Sequence, residues 1–444
     1  MTVFLWKING FLWGAPALLL ILTVGLFLSI RLRFVQLTLL PRALKQFFAG
    51  LKSGGGDSGF RALCTALAAT VGTGNLAGVA GAICLGGPGA IFWMWLCGIL
   101  GMVTKYAEAT LAVRYRMQNE DGYLGGPMYI IQQGLGKCWR PMAVCYSLFG
   151  LAASFGVGNG AQINAVVTSV KPFLCDRAGW DLLLGILLAG IIGLLLCGGA
   201  RRIGKAAEML VPFAAAGYIF LCSVVLILRI TEVPRALAGI FVGAFSPRAV
   251  TGGMLGSGFL ALRIGCSRGV FTNEAGMGTA GMAHGGADVK DPAQQGLMGI
   301  VEVFLDTIVI CTLTALVILT SGVDIPYGTD MGAELTRLAF ERIYGPAASV
   351  FLAAALCLFA VAAVLGWGLY GGRCAQFLFG RNAWKPYAAA QTLMVVAGAV
   401  LDTGIVWQIS EMLNGLMVIP NLITLAVLTP EVVRLTIEYK NSGS

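Results

Sequence analysis

The chain has 444 residues, of which 57% are hydrophobic and 11% are charged, and its mean hydropathy is +0.83. A soluble domain cannot bury so much apolar surface, whereas a lipid bilayer solvates it. The net charge of +9 is concentrated in short loops, where it orients membrane spans, so we expect no nucleic-acid partner. The 12 cysteines show no CxxC spacing, which argues against a disulfide framework or a zinc site.

Hydropathy predicts eleven membrane-spanning segments, because each crossing needs about 20 apolar residues. The first is too long for a secretory signal and has no small-residue cleavage site, so we expect a true span. We therefore predict an all-α polytopic membrane protein. The spans lie near 11–30, 63–84, 90–112, 142–170, 182–197, 209–228, 249–264, 296–320, 346–370, 387–402 and 409–429.

Lysine and arginine are distributed unevenly between alternate loops. The set that includes the C-terminal tail carries 21 of the 30 basic residues, and the set that includes the N-terminus carries 8. The positive-inside rule therefore predicts an inner (cell) membrane protein with its N-terminus outside and its C-terminus in the cytoplasm.

Two spans are unusually rich in glycine, TVGTGN at 70–75 and GGMLGSG at 252–258. Each interior glycine costs a helix about 1 kcal/mol relative to alanine, and backbone groups freed inside a membrane must line a cavity. Interrupted helices at matching positions predict a transporter site near the bilayer midplane. The alternative is a close-packed helix interface of the GxxxG kind.

The two glycine-rich spans start from the same side and lie five spans apart, which predicts inverted repeats formed by spans 2–6 and 7–11. We divide the chain accordingly into an extra N-terminal helix with a basic segment (1–62), a first repeat (63–230), a second repeat (231–430) and a tail (431–444).

Several motifs resemble one known family, the alanine or glycine:cation symporters, which are sodium:alanine symporter-like members of the amino acid-polyamine-organocation superfamily. The motifs are CTALAATVGTGN at 64–75, GGPGAIFWMW at 86–95, KYAE at 105–108, GGPMY at 125–129, FTNEAG at 271–276, QG at 295–296 and FLDT at 304–307.

The resemblance implies about eleven transmembrane helices in a LeuT-type five-plus-five inverted repeat with one extra N-terminal helix. It also implies secondary active transport of alanine or glycine, coupled to sodium. We expect a monomer in membrane lipid that has no organic cofactor. No HExxH motif occurs, so we predict no enzyme; a non-transporting amino-acid sensor is an alternative of another class.

A zwitterionic amino acid brings a carboxylate and an ammonium group into a low-dielectric site, where unpaired charge is costly. Backbone N–H groups at the start of an outer half-helix, around Gly74 and Asn75, suit the carboxylate, and carbonyl groups near Ala69 and Thr70 suit the ammonium. Carbonyl groups around Gly253 can complete the shell. We predict that these residues bind the main-chain end of the substrate.

Two further residues enter through the family resemblance. Gln162 matches an Asn-x-x-Gln segment and is implied to contact substrate; the alternative is an interhelical hydrogen bond. Trp367 is implied to form a wall that admits alanine or glycine and rejects larger side chains; the alternative is an interfacial belt residue.

The family's sodium site is carried over to backbone carbonyl groups of Ala68 and Val71 and to two hydroxyl groups on a later span. This chain has Ala362 and Ala363 where those hydroxyl groups are expected. Replacing hydroxyl oxygens with methyl groups should weaken sodium binding at Ala363. A proton-coupled carrier, an exchanger or a facilitator is therefore the alternative function.

A few ionisable residues fall inside or near the predicted spans. Glu302 and Asp306 lie at i and i+4 on one helix face, and Asp306 is either a functional group or a residue that orders the bundle. Lys105 and Glu108 fall near a cytoplasmic end, where snorkelling or a local ion pair would satisfy them. We place His284 in a cytoplasmic loop, as neither a base nor a metal ligand.

Overall fold

The computed structural model describes residues 9–10, 12–13, 15–53, 57–120, 122–173, 179–245, 258–401 and 404–442. These residues are mostly helical, and the strands among them form a single hairpin. In this hairpin β1 (Met117–Asn119) pairs antiparallel with β2 (Gly122–Leu124). The prediction of an all-α membrane protein is confirmed apart from this short ribbon.

The first part of the described chain forms twelve α-helices with short π-helical and 3₁₀ segments between some of them. The α-helices are α1 (Ala15–Arg31), α2 (Val35–Thr38), α3 (Leu40–Lys52), α4 (Ser58–Thr70), α5 (Val79–Gly86), α6 (Gly89–Arg114), α7 (Pro127–Ile130), α8 (Arg140–Phe155), α9 (Ala161–Val170), α10 (Trp180–Cys197), α11 (Gly199–Leu228) and α12 (Val233–Phe245). The other segments are π-helical Gly74–Gly78, Ile131–Leu135 and Gly156–Gly160 and 3₁₀ Lys137–Trp139 and Lys171–Phe173.

The second part of the described chain continues the bundle. Its α-helices are α13 (Gly258–Asn273), α14 (Ala280–His284), α15 (Pro292–Val303), α16 (Thr312–Thr320), α17 (Ala333–Tyr344), α18 (Ala347–Phe379), α19 (Trp384–Val400), α20 (Gly404–Val427) and α21 (Thr429–Asn441). π-Helical Phe304–Cys311 joins α15 to α16, and 3₁₀ Arg381–Ala383 precedes α19.

Seven helical segments of the described chain are long and apolar enough to cross a membrane, or eight if α4 and the helix after its break form one span. The remaining apolar helices, Pro16–Arg31 and Val233–Phe245, are shorter. Several spans are therefore present, while the total of eleven stays a prediction.

The first glycine-rich span is interrupted, as predicted. α4 begins after Asp57, whose side-chain Oδ1 accepts a hydrogen bond from the N–H of Gly59 at 2.8 Å, which is an N-cap. It ends at Thr70, and Val71 is extended (φ −74°, ψ 104°). The chain resumes as a π-helical turn at Gly74, and the two halves are bent by 53°.

The second glycine-rich stretch, including Gly253, lies outside the described residues. α13 starts at Gly258 and continues to Asn273, nine residues beyond the predicted end of that span. The chain then turns sharply at 274–279. Glu274 has a left-handed backbone (φ 54°), as do Gly276 (φ 93°) and Gly278 (φ 81°). This conformation is uncommon for a residue with a side chain.

α18 is central to the bundle and packs closely against the interrupted helix. A Cβ atom on Gly366 would lie 2.8 Å from the backbone nitrogen of Ala69, and one on Gly158 would lie 2.5 Å from the Cβ of Trp367. Only glycine permits such close approach of two helices. These contacts place Trp367 of α18 beside the break in α4 and beside the π-helical turn Gly156–Gly160.

Candidate functional site

The break after α4 is held by the side chain of Asn75. Its Oδ1 accepts a hydrogen bond from the N–H of Gly72 at 2.8 Å, which satisfies a backbone group that the break leaves free. Its Nδ2 donates to the Asp306 carboxylate at 2.8 Å and to the Asp306 carbonyl at 3.1 Å. Both side chains are fully buried. Asn75 therefore ties the break to the π-helical segment Phe304–Cys311.

The same π-helical segment is also tied to the turn that follows α13. Thr307 donates to the Asp306 carboxylate at 2.8 Å and accepts from Nδ2 of Asn273 at 3.1 Å. The Oδ1 of Asn273 in turn accepts from the N–H of Ala275 at 2.9 Å. Asp306 and Thr307 thus connect two irregular backbone segments through side-chain hydrogen bonds.

Gln162 connects the break to α9. The hydroxyl of Thr73 donates to Oε1 of Gln162 at 3.2 Å, and Nε2 of Gln162 donates to the carbonyl of Val157 at 3.2 Å. Thr70 donates only within its own helix, to the carbonyl of Ala66 at 3.3 Å. The structure therefore brings Gln162 to the break, through Thr73.

A cavity of about 620 Å³ borders the half of the interrupted helix that follows the break. Gly74 contributes to its lining, whereas Thr70, Asn75, Gln162 and Trp367 are buried and do not border it. The lining also includes Thr73, Ala77, Asn164, Phe271, Arg268, Glu334, Arg337 and Leu356. The cavity is thus walled by the break and by helices α9, α13, α17 and α18.

Charged side chains also line this cavity. Arg268 pairs with Asp330 at 2.8 Å, and Nε of Arg337 donates to Glu334 at 2.8 Å. The hydrogen bond from Arg337 lowers the pKa of the Glu334 carboxyl below its ordinary value. The first pair links α13 to the loop before α17, and the second pair lies within α17.

Trp367 lies in the interior and does not face a membrane interface. It is 1% exposed, and its indole Nε1 donates to Oε1 of Glu274 at 3.0 Å. The other carboxylate oxygen of Glu274 accepts from the hydroxyl of Thr279 at 2.6 Å. The alternative of an interfacial belt residue is therefore wrong. Glu274 was not singled out from the sequence, although it lies within the FTNEAG motif.

The residues carried over as a sodium site lie close to one another. A Cβ atom on Gly72 would lie 3.9 Å from the Cβ of Ala363, so α18 passes directly beside the break. Ala68, Val71 and Ala363 are all buried. The side chain that α18 presents here is a methyl group, which supplies no oxygen ligand.

For Lys105 the structure shows the alternative of an ion pair and contradicts that of snorkelling, and His284 ends a helix, so its predicted place in a loop is wrong. Lys105 does not snorkel: it is fully buried, and its Nζ lies 2.8 Å from Oε1 of Glu302. His284 is also fully buried at the end of α14, and its Nε2 lies 3.0 Å from the other oxygen of Glu302. Nε2 of Gln295 lies 2.7 Å from Nδ1 of the histidine. The pairing partners are distant in sequence, which is why local reasoning missed them.

Glu108 is likewise buried, and the expectation of a solvent-reaching side chain is wrong. Its Oε1 accepts hydrogen bonds from the N–H groups of Gly276 at 3.0 Å and Gly278 at 3.1 Å and from Nδ2 of Asn421 at 2.8 Å. It therefore satisfies backbone groups of the turn at 274–279. No signal in the sequence pointed to Asn421.

An interrupted apolar helix that borders a cavity within a bundle of spans defines a membrane transporter of the broken-helix type. The family model described as the sodium:alanine symporter family matches residues 1–444. The chain belongs to this family, and amino-acid transport is its class of activity. It is a multi-pass membrane protein.

Two relatives and one solved structure place the chain more closely. It is 42% identical over 435 residues to the sodium/alanine symporter AgcS of Methanococcus maripaludis, covering 96% of this chain and 94% of that protein. It is 38% identical over 429 residues to the probable sodium/glutamine symporter GlnT of Bacillus subtilis, covering 95% and 87%. The crystal structure of MhsT in complex with L-phenylalanine matches with a TM-score of 0.58 at 14% identity, covering 85% and 97%. This likeness shows the LeuT-type fold.

Proposed function

We propose that the protein is a secondary active transporter of small neutral amino acids, alanine or glycine, that works by alternating access around the break after α4. The single observation that carries this proposal is the 53° bend beside the cavity. A broken helix presents free N–H groups on one side and free carbonyl groups on the other, which suits a zwitterion.

We assign the substrate carboxylate to the start of the π-helical turn. Thr73 and Gly74 border the cavity, and the turn has no side-chain cap. The N–H of Asn75 donates to the carbonyl of Gly72 at 3.2 Å, so we assign the anion to the N–H of Gly74. We assign the ammonium to carbonyl groups near Ala69 and Thr70. Asn75 acts by fixing the break through Gly72, because its side chain is already engaged with Asp306.

Gln162 and Trp367 support the site in different ways. We propose that Gln162 orients the Thr73 hydroxyl toward substrate, since the two side chains are hydrogen bonded. Trp367 does not border the cavity itself; in this proposal it limits the space for the substrate side chain from behind the break, with its indole held by Glu274. Carbonyl groups near Gly253 complete the binding shell in this proposal.

The coupling ion is the second part of the proposal. Sodium would be held by carbonyl groups of Ala68 and Val71 beside Ala363, by analogy with the family. A sodium-independent carrier, driven by protons or by exchange, is the second candidate, because α18 offers methyl groups at Ala362 and Ala363. We further propose the repeats 63–230 and 231–430, flanked by 1–62 and 431–444, and a monomer with its N-terminus outside and its C-terminus in the cytoplasm.

Uptake of radiolabelled amino acids into proteoliposomes tests the proposal. We expect uptake of alanine, glycine or serine above that of protein-free liposomes and little uptake of leucine. Paired measurements in sodium and choline buffers separate the two coupling modes. Sodium symport requires that uptake depend strongly on external sodium, whereas the sodium-independent carrier requires that uptake be the same in both buffers. Absence of uptake and of exchange for every small neutral amino acid would overturn the transport proposal.

A further inference from the structure

The buried interior carries more negative than positive groups. Among the described residues that are at most 5% exposed, four have a carboxylate side chain and one is a lysine. Glu302 is neutralised, because it contacts both Lys105 and His284. An isolated carboxylate is too costly to bury as an ion, so it is paired, strongly hydrogen bonded or protonated. The other three carboxylates are Glu108, Glu274 and Asp306.

These three carboxylates differ in their hydrogen-bond partners and in their exposure. Glu108 accepts two backbone N–H groups and an amide, and Asp306 accepts Asn75 and Thr307 at the helix break. Their exposed fractions are 1% and 0%. Glu274 accepts one neutral donor on each oxygen and is 5% exposed. Asp306 likewise accepts one neutral donor on each oxygen, and Oε2 of Glu108 has no hydrogen-bond partner among the described residues. Glu274 differs from both in being the most exposed of the three.

Glu274 is also in the right place to act on the substrate site. It lies in a left-handed conformation (φ 54°) at the sharp turn after α13, and a residue held in such a conformation marks a constrained and functional segment. Its Oε1 accepts directly from Trp367, the proposed wall of the substrate pocket. A change in the charge of Glu274 is thus transmitted to Trp367 without any intermediate residue.

We propose that Glu274 is the proton-binding site that couples transport to the proton gradient. This inference rests on the second candidate of the proposed function, the sodium-independent carrier, and names the proton as its coupling ion. Glu274 takes one proton from the side on which substrate enters and releases it on the other side. As a neutral carboxyl it accepts more weakly from the indole N–H than the carboxylate does, so proton binding loosens Trp367 in one state and proton release locks it in the other.

The surroundings of Glu274 fit this role. The charged and titratable groups that face it from the packed helices are Lys105 and Glu108 of α6, Glu302 of α15, Tyr146 of α8 and Tyr370 of α18. Lys105 is engaged by Glu302, and Glu108 is engaged by the turn at 276–278 and by Asn421. Glu274 forms no ion pair with another described residue, in contrast to Glu302.

The test uses purified full-length protein in sodium-free proteoliposomes that contain a pH-sensitive dye. Addition of external alanine to the wild type is expected to drive proton entry, and one proton per alanine across one pH unit sustains about tenfold accumulation. Glu274→Gln is expected to abolish alanine-driven proton entry and accumulation above equilibrium while alanine/alanine exchange remains measurable. Glu274→Asp, which keeps a carboxyl, should retain proton entry.

Glu438→Gln is the matched control, because Glu438 is exposed on α21 and pairs with Arg434 at 3.3 Å; it should behave as wild type. Wild-type alanine transport without proton entry would overturn the inference, and so would continued proton-driven accumulation in Glu274→Gln. The wild-type measurement of proton entry distinguishes these outcomes even if Glu274→Gln does not fold. Failure of wild-type alanine uptake and exchange would instead overturn the proposed function.

Discussion

The side-chain amide of Asn75 donates to the carboxylate of Asp306 over 2.8 Å, which joins the break after α4 to the π-helical segment 231 residues further along the chain. The same asparagine accepts from the N–H of Gly72. One side chain thus satisfies a freed backbone group and a buried carboxylate at once. Loss of Asn75 should therefore affect stability as well as transport.

We expect Asn75→Ala to lower the free energy of unfolding by about 1–3 kcal/mol for each buried group that it leaves unsatisfied. Asn75→Asp should be worse, because it places a second carboxylate against Asp306. The double substitution Asn75→Asp/Asp306→Asn restores a complementary pair and should recover part of the loss. Thermal unfolding in detergent measures the stability of all three variants. A melting temperature of Asn75→Ala equal to that of the wild type would contradict the role assigned to this hydrogen bond.

The buried pair Lys105–Glu302 gives a second prediction. Lys105→Met leaves the Glu302 carboxylate without its lysine in a site with no exposed surface, and such an uncompensated charge costs about 3–5 kcal/mol. The double variant Lys105→Met/Glu302→Met removes both charges and should be more stable than the single variant. If thermal unfolding shows the double variant to be no more stable than Lys105→Met, the loss does not come from the stranded charge.

Ala363 gives a prediction about ion coupling. Ala363→Thr places a hydroxyl beside the break near Gly72 and should increase the stimulation of alanine uptake by sodium. A coupling of about 1–3 kcal/mol corresponds to a roughly 5- to 150-fold effect on apparent affinity. Ala354→Thr, on the exposed face of the same helix, should leave sodium dependence unchanged. Equal sodium responses of Ala363→Thr and the wild type would argue against a residual cation site at this position.

Gly74 tests the position of the substrate carboxylate. A Cβ atom there would lie 3.5 Å from Thr272, which is ordinary contact, so Gly74→Ala should fold. Its methyl group would still crowd a ligand bound to the turn, at a cost of about 1–3 kcal/mol or roughly 5- to 150-fold in substrate affinity. Gly190→Ala, with no atom within 4 Å of the added Cβ, is the control. Unchanged alanine affinity in Gly74→Ala would exclude this placement.

The pair Glu334–Arg337 on α17 gives a prediction about pH. The hydrogen bond from Arg337 lowers the pKa of Glu334 below its ordinary value of 4.5. A lowered carboxyl pKa contributes stability above the unfolded pKa, and this contribution is lost as the pH falls through the folded pKa. The protection factors of the α17 amides, which correct hydrogen exchange for its intrinsic pH dependence, should therefore fall in acid, below the ordinary carboxyl range. In Arg337→Gln this acid-dependent fall should be smaller; an unchanged profile would show that the pair does not hold the helix.

Local sequence features predicted much of this protein. Hydropathy over about 20 residues indicates membrane spans because each span must match the bilayer by itself. The glycine density at 70–75 predicted the break, because the cost of glycine in a helix is a local property. Motifs such as FTNEAG led to the correct family. These features depend on neighbouring residues, so they can be read without a fold.

The tertiary structure decided which side chains meet. Lys105 pairs with Glu302 across 197 residues, Asn75 with Asp306 across 231, and Trp367 with Glu274 across 93. No local pattern encodes such partners, and proximity to a span end wrongly suggested snorkelling for Lys105. By itself the sequence determined that the chain is a membrane transporter with a broken helix. Only helix packing decided how its buried charges are satisfied, because a buried charge is stabilised by whichever groups the fold brings within hydrogen-bonding distance.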